Sequence, residues 1–322
     1  ELASVNMIIG ASFGGVPSLT ATSGPGLALM MEGLGLAVGS ETPVVVVDVM
    51  RVGPSTGIAT KAEQSDLNIA VFGFHGDAPH IVVAPNSVAD CLNTAQWSVY
   101  LAEAMQAAVI YLSDQYLGQA KAIIQQPAEF PLKADREICA DPDEKYQRYA
   151  ITDSGISPMA IPGTPSGQYT ADGLEHTEKG TPSTTDEDHT LQLDKRLRKI
   201  TNFDYGDYWA DIEGEGELAV ITWGSTTGSI REAIKKLGEE GIDNIKLISI
   251  RLLLPVQQEK FASALEGVRK VLIVEQSHSA QFNQYLRGHY ELPDDVETFH
   301  RAGPLIIRPG EIMNKLRTWG DS

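Results

Sequence analysis

The chain has 322 residues, 42% of them apolar, enough to bury one large core or two ordinary ones. Its 43 acidic and 25 basic residues leave a net charge of -18, which excludes nonspecific binding to nucleic acid or to an anionic membrane and suits basic or positively patched partners. Cys91 and Cys139, in no CxxC spacing, build neither a disulfide framework nor a zinc or iron–sulfur site, and this points to the reducing cytoplasm; no apolar run reaches the roughly 20 residues that span a bilayer, and no leader is read.

In chain order, small apolar residues from Glu1 to Gly15, with Val5, Ile8 and Ile9 at helical offsets, predict a tightly packed helix. Ser18 to Thr22 reads as a short strand. Ser23-Gly24-Pro25-Gly26 then opens an apolar helix over Leu27 to Val38, with Ser23 as N-cap and Pro25 in the first turn. Six of the seven residues from Val44 to Met50 are apolar, the pattern of a strand covered on both faces, and it stops at Arg51 and a Gly53-Pro54-Ser55-Thr56-Gly57 loop. Open α/β sheets bind ligands at the carboxyl ends of their strands, so Arg51 stands where a carboxylate or phosphate would be held; the plain alternative is a surface arginine after a core strand. A helix around Glu63 to Val71, a loop containing HGDAPH, a strand from His80 to Ala84, a helix from Ser87 to Met105 and a strand from Ala108 to Ser113 complete a doubly wound parallel sheet.

Periodicity then fails from about Pro127 to Tyr208, except for a helix around Leu191 to Ile200 whose Lys195, Arg196, Arg198 and Lys199 read as a solvated face or an interdomain contact. Alternation resumes with strands at LAVITWGS, IKLISIRLLLP, KVLIVEQ and Thr298–Phe299 and helices between them, ending in a helix from Pro309. The expected organisation is an α/β domain over 1–126, an irregular connecting segment over 127–212 and a second α/β domain over 213–322.

The glycines of Gly33-Leu-Gly35-Leu-Ala-Val-Gly39 lie within an apolar helix at the wrong spacing for a dinucleotide site. His75, Asp77 and His80 read as a turn, not as a metal cluster. The free N–H groups of the helix opened by Ser23 would serve a bound ring or anion. Glu1 is either a carboxylate favoured by the helix dipole or an acid inserted into a cofactor pocket.

Glu1 with its small-residue helix, TATSGPGLALM, VVVVDVMRVGPSTGIATKAEQSDL, HGDAPH and NSVADC resemble the thiamin-pyrimidine-binding domain of the 2-oxoacid:ferredoxin oxidoreductases. WGST, IRLLLP and VEQSHSAQ are similar to the domain that follows it, related to the C-terminal domain of transketolases, and GLEHTEKGTPS followed by KRLRK to the family's connecting segment. MRVGPSTG with TKAEQSDL is most like the α subunit that acts on 2-oxoglutarate. The resemblance implies oxidative decarboxylation of 2-oxoglutarate, or the reverse, with coenzyme A, giving succinyl-CoA, CO2 and reduced ferredoxin.

Carried over position by position, Glu1 would hydrogen-bond the aminopyrimidine ring of thiamin diphosphate and favour its imino tautomer. Arg51 would hold the substrate carboxylate, with Ser55 and Thr56 as added hydroxyl donors, and Ser23, Gly24, Pro25 and Gly26 would line the ring pocket. The strand and YPITP-type loop that precede the glutamate in the family are missing, so a shortened chain is expected. No GDG with a downstream asparagine is present either. Magnesium, the diphosphate and the 4Fe-4S cluster are therefore expected in a β partner subunit, with ferredoxin and a γ domain or subunit as further partners, and the chain alone should be inactive. The alternatives are a pyruvate or other 2-oxoacid branch, a β-type subunit of a lipoamide-linked 2-oxoacid dehydrogenase, and a noncatalytic scaffold.

Overall fold

The computed structural model describes residues 1–127 and 130–320; residues 128–129 of the connecting segment and 321–322 of the second expected domain lie outside the described residues. Helix α1 (Leu2–Phe13) buries Val5, Ile8, Ile9 and Ser12, one stripe at helical spacing, against α2 (Gly24–Gly39). The helices cross at Gly33, where a Cβ would come 2.8 Å from Val5 Cγ1. The glycines of the false dinucleotide motif thus include one that lets two helices close. Between the helices runs β1 (Leu19–Thr22); then follow β2 (Val44–Met50), α3 (Leu67–Phe72), β3 (Ile81–Val83), α4 (Asp90–Met105), β4 (Ala108–Asp114) and a short α5 (Gln115–Gln119). After the irregular segment come α6 (Asp186–Thr201), β5 (Ala210–Glu213), β6 (Leu218–Trp223), α7 (Thr226–Glu239), β7 (Ile245–Ile250) and β8 (Leu252–Leu254). The chain closes with α8 (Gln258–Ala264), β9 (Lys270–Glu275), α9 (Gln281–His289), β10 (Asp295–His300) and α10 (Pro309–Gly320).

Two sheets result, ordered β1-β2-β4-β3-β8 and β10-β9-β6-β7-β5. Each is parallel apart from one antiparallel edge strand, β8 in the first and β5 in the second. The α/β class with two parallel-dominated sheets is the one expected, but the segment IKLISIRLLLP is not one strand. It divides at Arg251, whose N–H donates to the Trp209 carbonyl and whose carbonyl accepts from the Ala84 N–H, both at 2.8 Å. The guanidinium is tied to Asp90 at 2.9 Å and Asp211 at 2.7 Å, so β7 stays with the second sheet while β8 crosses to the first. One apolar cluster accordingly runs through both halves, from Val5, Leu34, Val46 and Trp97 to Trp223, Ile250 and Phe282. Burial of such area is the main stabilising term of the fold.

The basic residues of α6 are not a solvated face. Lys195, Arg196 and Lys199 are buried, and the two lysine ammoniums each donate to the buried Glu41 carboxylate at 2.7 Å, which packs the connecting segment onto the first sheet. A run of charges with helical periodicity in an irregular region looks solvated because its partner, Glu41, is 154 residues away from Lys195 in sequence. Among the described residues, no helix is long and apolar enough to cross a membrane.

Candidate active site

The first turn of α2 is the hub. Its N-cap, Ser23, has the expected extended backbone, but its side chain caps nothing, because Pro25 has no N–H and the Gly26 N–H donates to the Ser23 carbonyl at 2.6 Å. The Ser23 hydroxyl is left buried without a partner. On one side of this turn lies Glu1, at the N-cap position of α1: the Thr22 hydroxyl faces its Oε1 at 3.5 Å. A Cβ on Gly26 would come 1.8 Å from Thr22 Oγ1 and 2.8 Å from Glu1 Oε1. On the other side lies Asp66, whose Oδ2 would stand 2.9 Å from a Cβ on Gly24. Two glycines thus admit two carboxylates to one helix N-terminus, where the dipole favours negative charge.

Behind Asp66 is Asp48, which the register sets opposite Thr22 on β1 and Leu112 on β4. Its carboxyl is fully buried, touches that of Asp66, and receives a hydrogen bond at neither oxygen from the rest of the protein. Burial, then the negative charge of Asp66, pushes Asp48 well above the ordinary carboxylate range. Burial likewise raises Asp66 to about 6, with the contact to Asp48 and the Arg51 charge opposing the shift and Glu63 adding to it. Two carboxyl groups bond only through a proton, so near neutral pH the pair shares one. Arg51, half-buried at the end of β2, completes the cluster: its Nε is buried without a hydrogen-bond partner. Ser23, Asp48, Arg51 and Asp66 all leave buried polar atoms unbonded in one place, whereas most such atoms in folded proteins are paired.

The second half of the chain holds this cluster in position. Gln64 donates to the Trp223 carbonyl and accepts from the Gln276 N–H, each at 2.8 Å; Glu63 accepts from the Gly303 N–H at 2.9 Å; Gln281 donates to the Ser65 carbonyl at 2.8 Å. The loop that carries Asp66 is therefore fixed by the ends of the second sheet.

Ser55 and Thr56 sit apart from these buried atoms, on an exposed turn closed by the Val52–Ile58 bridge. Gly57, at φ 51°, is required there, since a Cβ would strike the Val52 carbonyl oxygen at 1.7 Å. Pro25 fixes the α2 turn through its ring. Asp48 and Asp66 were not among the predicted site residues. The signal was present: one acid interrupts an otherwise apolar strand buried on both faces, and buried acids need partners. Among the described residues no group of His, Cys, Asp and Glu could hold a metal ion, and His80 is buried between the Ala70 and Ala78 carbonyls at 2.7 and 2.8 Å. A cavity of about 540 Å³ lies at the other end of β3, lined by Phe72, Phe74, His80, Leu193, Leu197 and Leu254, and contains none of the predicted site residues.

Residues 1–195 match the family described as pyruvate flavodoxin/ferredoxin oxidoreductase, thiamine diphosphate-binding. The chain is 37% identical to the α subunit of 2-oxoacid:ferredoxin oxidoreductase 1 of Sulfurisphaera tokodaii, covering 87% of this chain and 45% of that one. It is 33% identical to the 2-oxoglutarate synthase subunit KorA of Methanothermobacter marburgensis, covering 98% and 84%. It superposes with a TM-score of 0.89, at 38% identity, on a 2-oxoglutarate:ferredoxin oxidoreductase from Magnetococcus marinus solved with 2-oxoglutarate, coenzyme A and succinyl-CoA bound, covering 98% of this chain and 55% of that one. A split gene transketolase, at 12% identity and a TM-score of 0.51, shares the fold alone. The chain spans about half the length of several of the relatives it matches.

Proposed function

The chain belongs to the pyruvate flavodoxin/ferredoxin oxidoreductase thiamine diphosphate-binding family, and from that premise we propose that it is the α subunit of a 2-oxoacid:ferredoxin oxidoreductase that oxidises 2-oxoglutarate, or forms it, with coenzyme A. The observation that carries this reading is the convergence of unbonded polar atoms at the α2 N-terminus, with Glu1 on one flank and Arg51 beyond the other. The residues fit the pyrimidine end of thiamin diphosphate: Gly24 and Gly26 let Asp66 and Glu1 come close to the α2 N-terminus, and the Ser23 hydroxyl is free to bond a ring.

When bound, thiamin diphosphate supplies the electron sink that lets a 2-oxoacid lose carbon dioxide. Glu1 then holds a proton at a ring nitrogen of the cofactor, with the Thr22 hydroxyl beside its Oε1 keeping the carboxyl turned toward Gly26. Arg51 binds the substrate carboxylate through a charge-assisted hydrogen bond and sets the 2-oxo carbon in place. Ser55 and Thr56, on the exposed turn, contribute donors once a partner surface covers them. That partner is a β subunit carrying magnesium, the diphosphate site and the 4Fe-4S cluster, with ferredoxin as electron acceptor and a γ domain or subunit completing the assembly. The cytoplasm is the proposed location, and two unpaired cysteines suit it.

The test is the chain copurified with its partner subunit and supplied with thiamin diphosphate, coenzyme A and ferredoxin. Reduction of ferredoxin with 2-oxoglutarate well above that with pyruvate is expected, and Glu1→Gln should lower turnover at least a hundredfold while the complex still assembles. Unchanged turnover in the variant removes Glu1 from the mechanism, and equal rates with the two acids defeat the choice of branch.

A further inference from the structure

The Asp48–Asp66 pair has no place in the mechanism above, yet it is the most deeply buried charge at the site. Asp48 is 0% exposed and neither of its oxygens finds a donor in the surrounding protein. An ionised carboxylate abandoned in this way costs several kcal/mol, roughly, and does not persist without a function or a proton. The carboxyl it touches, Asp66, abuts Gly24 at the N-terminus of α2, and the Arg51 charge acts on both acids.

We propose that Asp48 and Asp66 are positioning residues for Arg51: sharing one proton, they steady its guanidinium at the ligand pocket, and when that proton leaves they draw the guanidinium onto themselves and weaken its hold on a ligand carboxylate. The inference rests on the function proposed above. With one negative charge on the pair, Arg51 balances it and the α2 N-terminus supplies the remaining positive potential for an anionic substrate. With two, the site is net negative, and a substrate carboxylate must compete with the pair for Arg51.

Relaxation cannot relieve this, because the Asp66 loop is bonded to Trp223, Gln276, Gln281 and Gly303 of the second half. The other charged groups around the pair do not replace it. Glu63, on the same loop, is engaged by the Gly303 N–H and the Ser65 hydroxyl and adds only negative charge. Glu1 lies across Thr22 on the far side of Gly26. Asp114, at the end of β4, caps α5 through the Leu117 N–H. The strands flanking Asp48 oppose it with Thr22 and Leu112, which carry no charge.

The experiment uses the complex with its partner subunit and follows KM and kcat for 2-oxoglutarate from about pH 5.5 to about pH 9. The wild-type KM should climb once the pair loses its shared proton, by up to about tenfold per pH unit, with kcat changing far less. Asp48→Asn cannot acquire the second charge, so its KM should be independent of pH over that range; Asp66→Asn should behave alike, which covers a failure of either variant to fold. Infrared spectroscopy of the complex with isotope-labelled aspartate carboxyl carbons gives a readout without substrate: a protonated carboxyl band at neutral pH, lost in Asp48→Asn. An active complex that lacks the band, or an Asp48→Asn KM that climbs in parallel with wild type, overturns the pair and keeps the proposed function. A complex that shows the band but does not oxidise 2-oxoglutarate overturns the function and, with it, the role of the pair in substrate binding.

Discussion

Strand β2 has buried charge at both of its ends, and the two ends are handled in opposite ways. Before the strand, Glu41 is closed on every side: Lys195 and Lys199 donate to its two oxygens at 2.7 Å, Arg148 donates to its carbonyl at 2.9 Å, and Lys199 also donates to the Gln106 carbonyl at 2.8 Å. Toward its carboxyl end, Asp48 within the strand and Arg51, Asp66 and Ser23 around it keep polar atoms with no partner. The bonded end fastens the connecting segment to the first sheet. The unbonded end is where the proposed ligand site lies. Buried charge of itself therefore marks nothing, and neither does an unbonded atom, since Arg148 Nε and Gln106 Oε1 beside Glu41 also lack partners; what sets the two ends apart is that the Glu41 carboxylate is closed by two ammoniums whereas the Asp48 carboxyl receives no donor.

The contrast is tested most severely at Glu41. Glu41→Gln leaves two buried ammoniums without their carboxylate, and removal of one partner from such a cluster costs about 3–5 kcal/mol. A urea unfolding midpoint should fall accordingly, and a loss under about 1 kcal/mol would place the cluster on the same footing as a surface ion pair. Gly26→Ala probes the open end. Its methyl group would overlap Thr22 and Glu1, so a loss of roughly 1–3 kcal/mol in stability and a marked weakening of thiamin diphosphate binding by the complex are expected. Gly39→Ala, in the same helix but with no atom within 4 Å of the new Cβ, is the control and should leave both unchanged. Equal effects of the two substitutions would show that α2 tolerates or rejects side chains for reasons unrelated to the pocket.

Much of this arrangement was legible in the sequence. The valine run predicts β2 from Val44 to Met50, and SGPG predicts the α2 start, because burial on both faces and proline at a first turn are local patterns. What the sequence hid is long-range. Glu41 carries no motif of its own and Lys195 reads as a solvated or interdomain charge until they are seen 2.7 Å apart, and Arg251 reads as mid-strand until its bonds to Asp90 and Asp211 divide the strand between two sheets. Asp66 falls inside the helix expected over Glu63 to Val71; its contact with Asp48 depends on a loop pinned by Gln276 and Gly303 from the far half.

The smallest expected effect is on the pH dependence of stability, and it separates the two ends by sign. Asp66 titrates at about 6 in the folded chain, and Asp48 higher than an ordinary carboxyl, so between the unfolded carboxylate value near 3.9 and these values the folded state binds more protons than the unfolded one. The stability Asp66 provides is complete below that lower limit and is lost as pH rises through about 6. At the other end, burial pushes Lys199 down to about 8, with Glu41 opposing and Lys195 adding to the shift. The unfolded lysine, with a value near 10.4, then binds the extra proton, so stability rises with pH between about 8 and about 10.4. Two ammoniums share one carboxylate, and shedding the surplus proton relieves their repulsion while Lys195 still closes Glu41. Unfolding midpoints measured across this range should therefore dip on the acid side and recover on the alkaline side. Asp66→Asn should remove the dip and leave the recovery, and Lys199→Met should do the reverse. A single substitution that flattens both limbs would mean that the ends of β2 titrate as one system, and the division between a closed and an open end would fail.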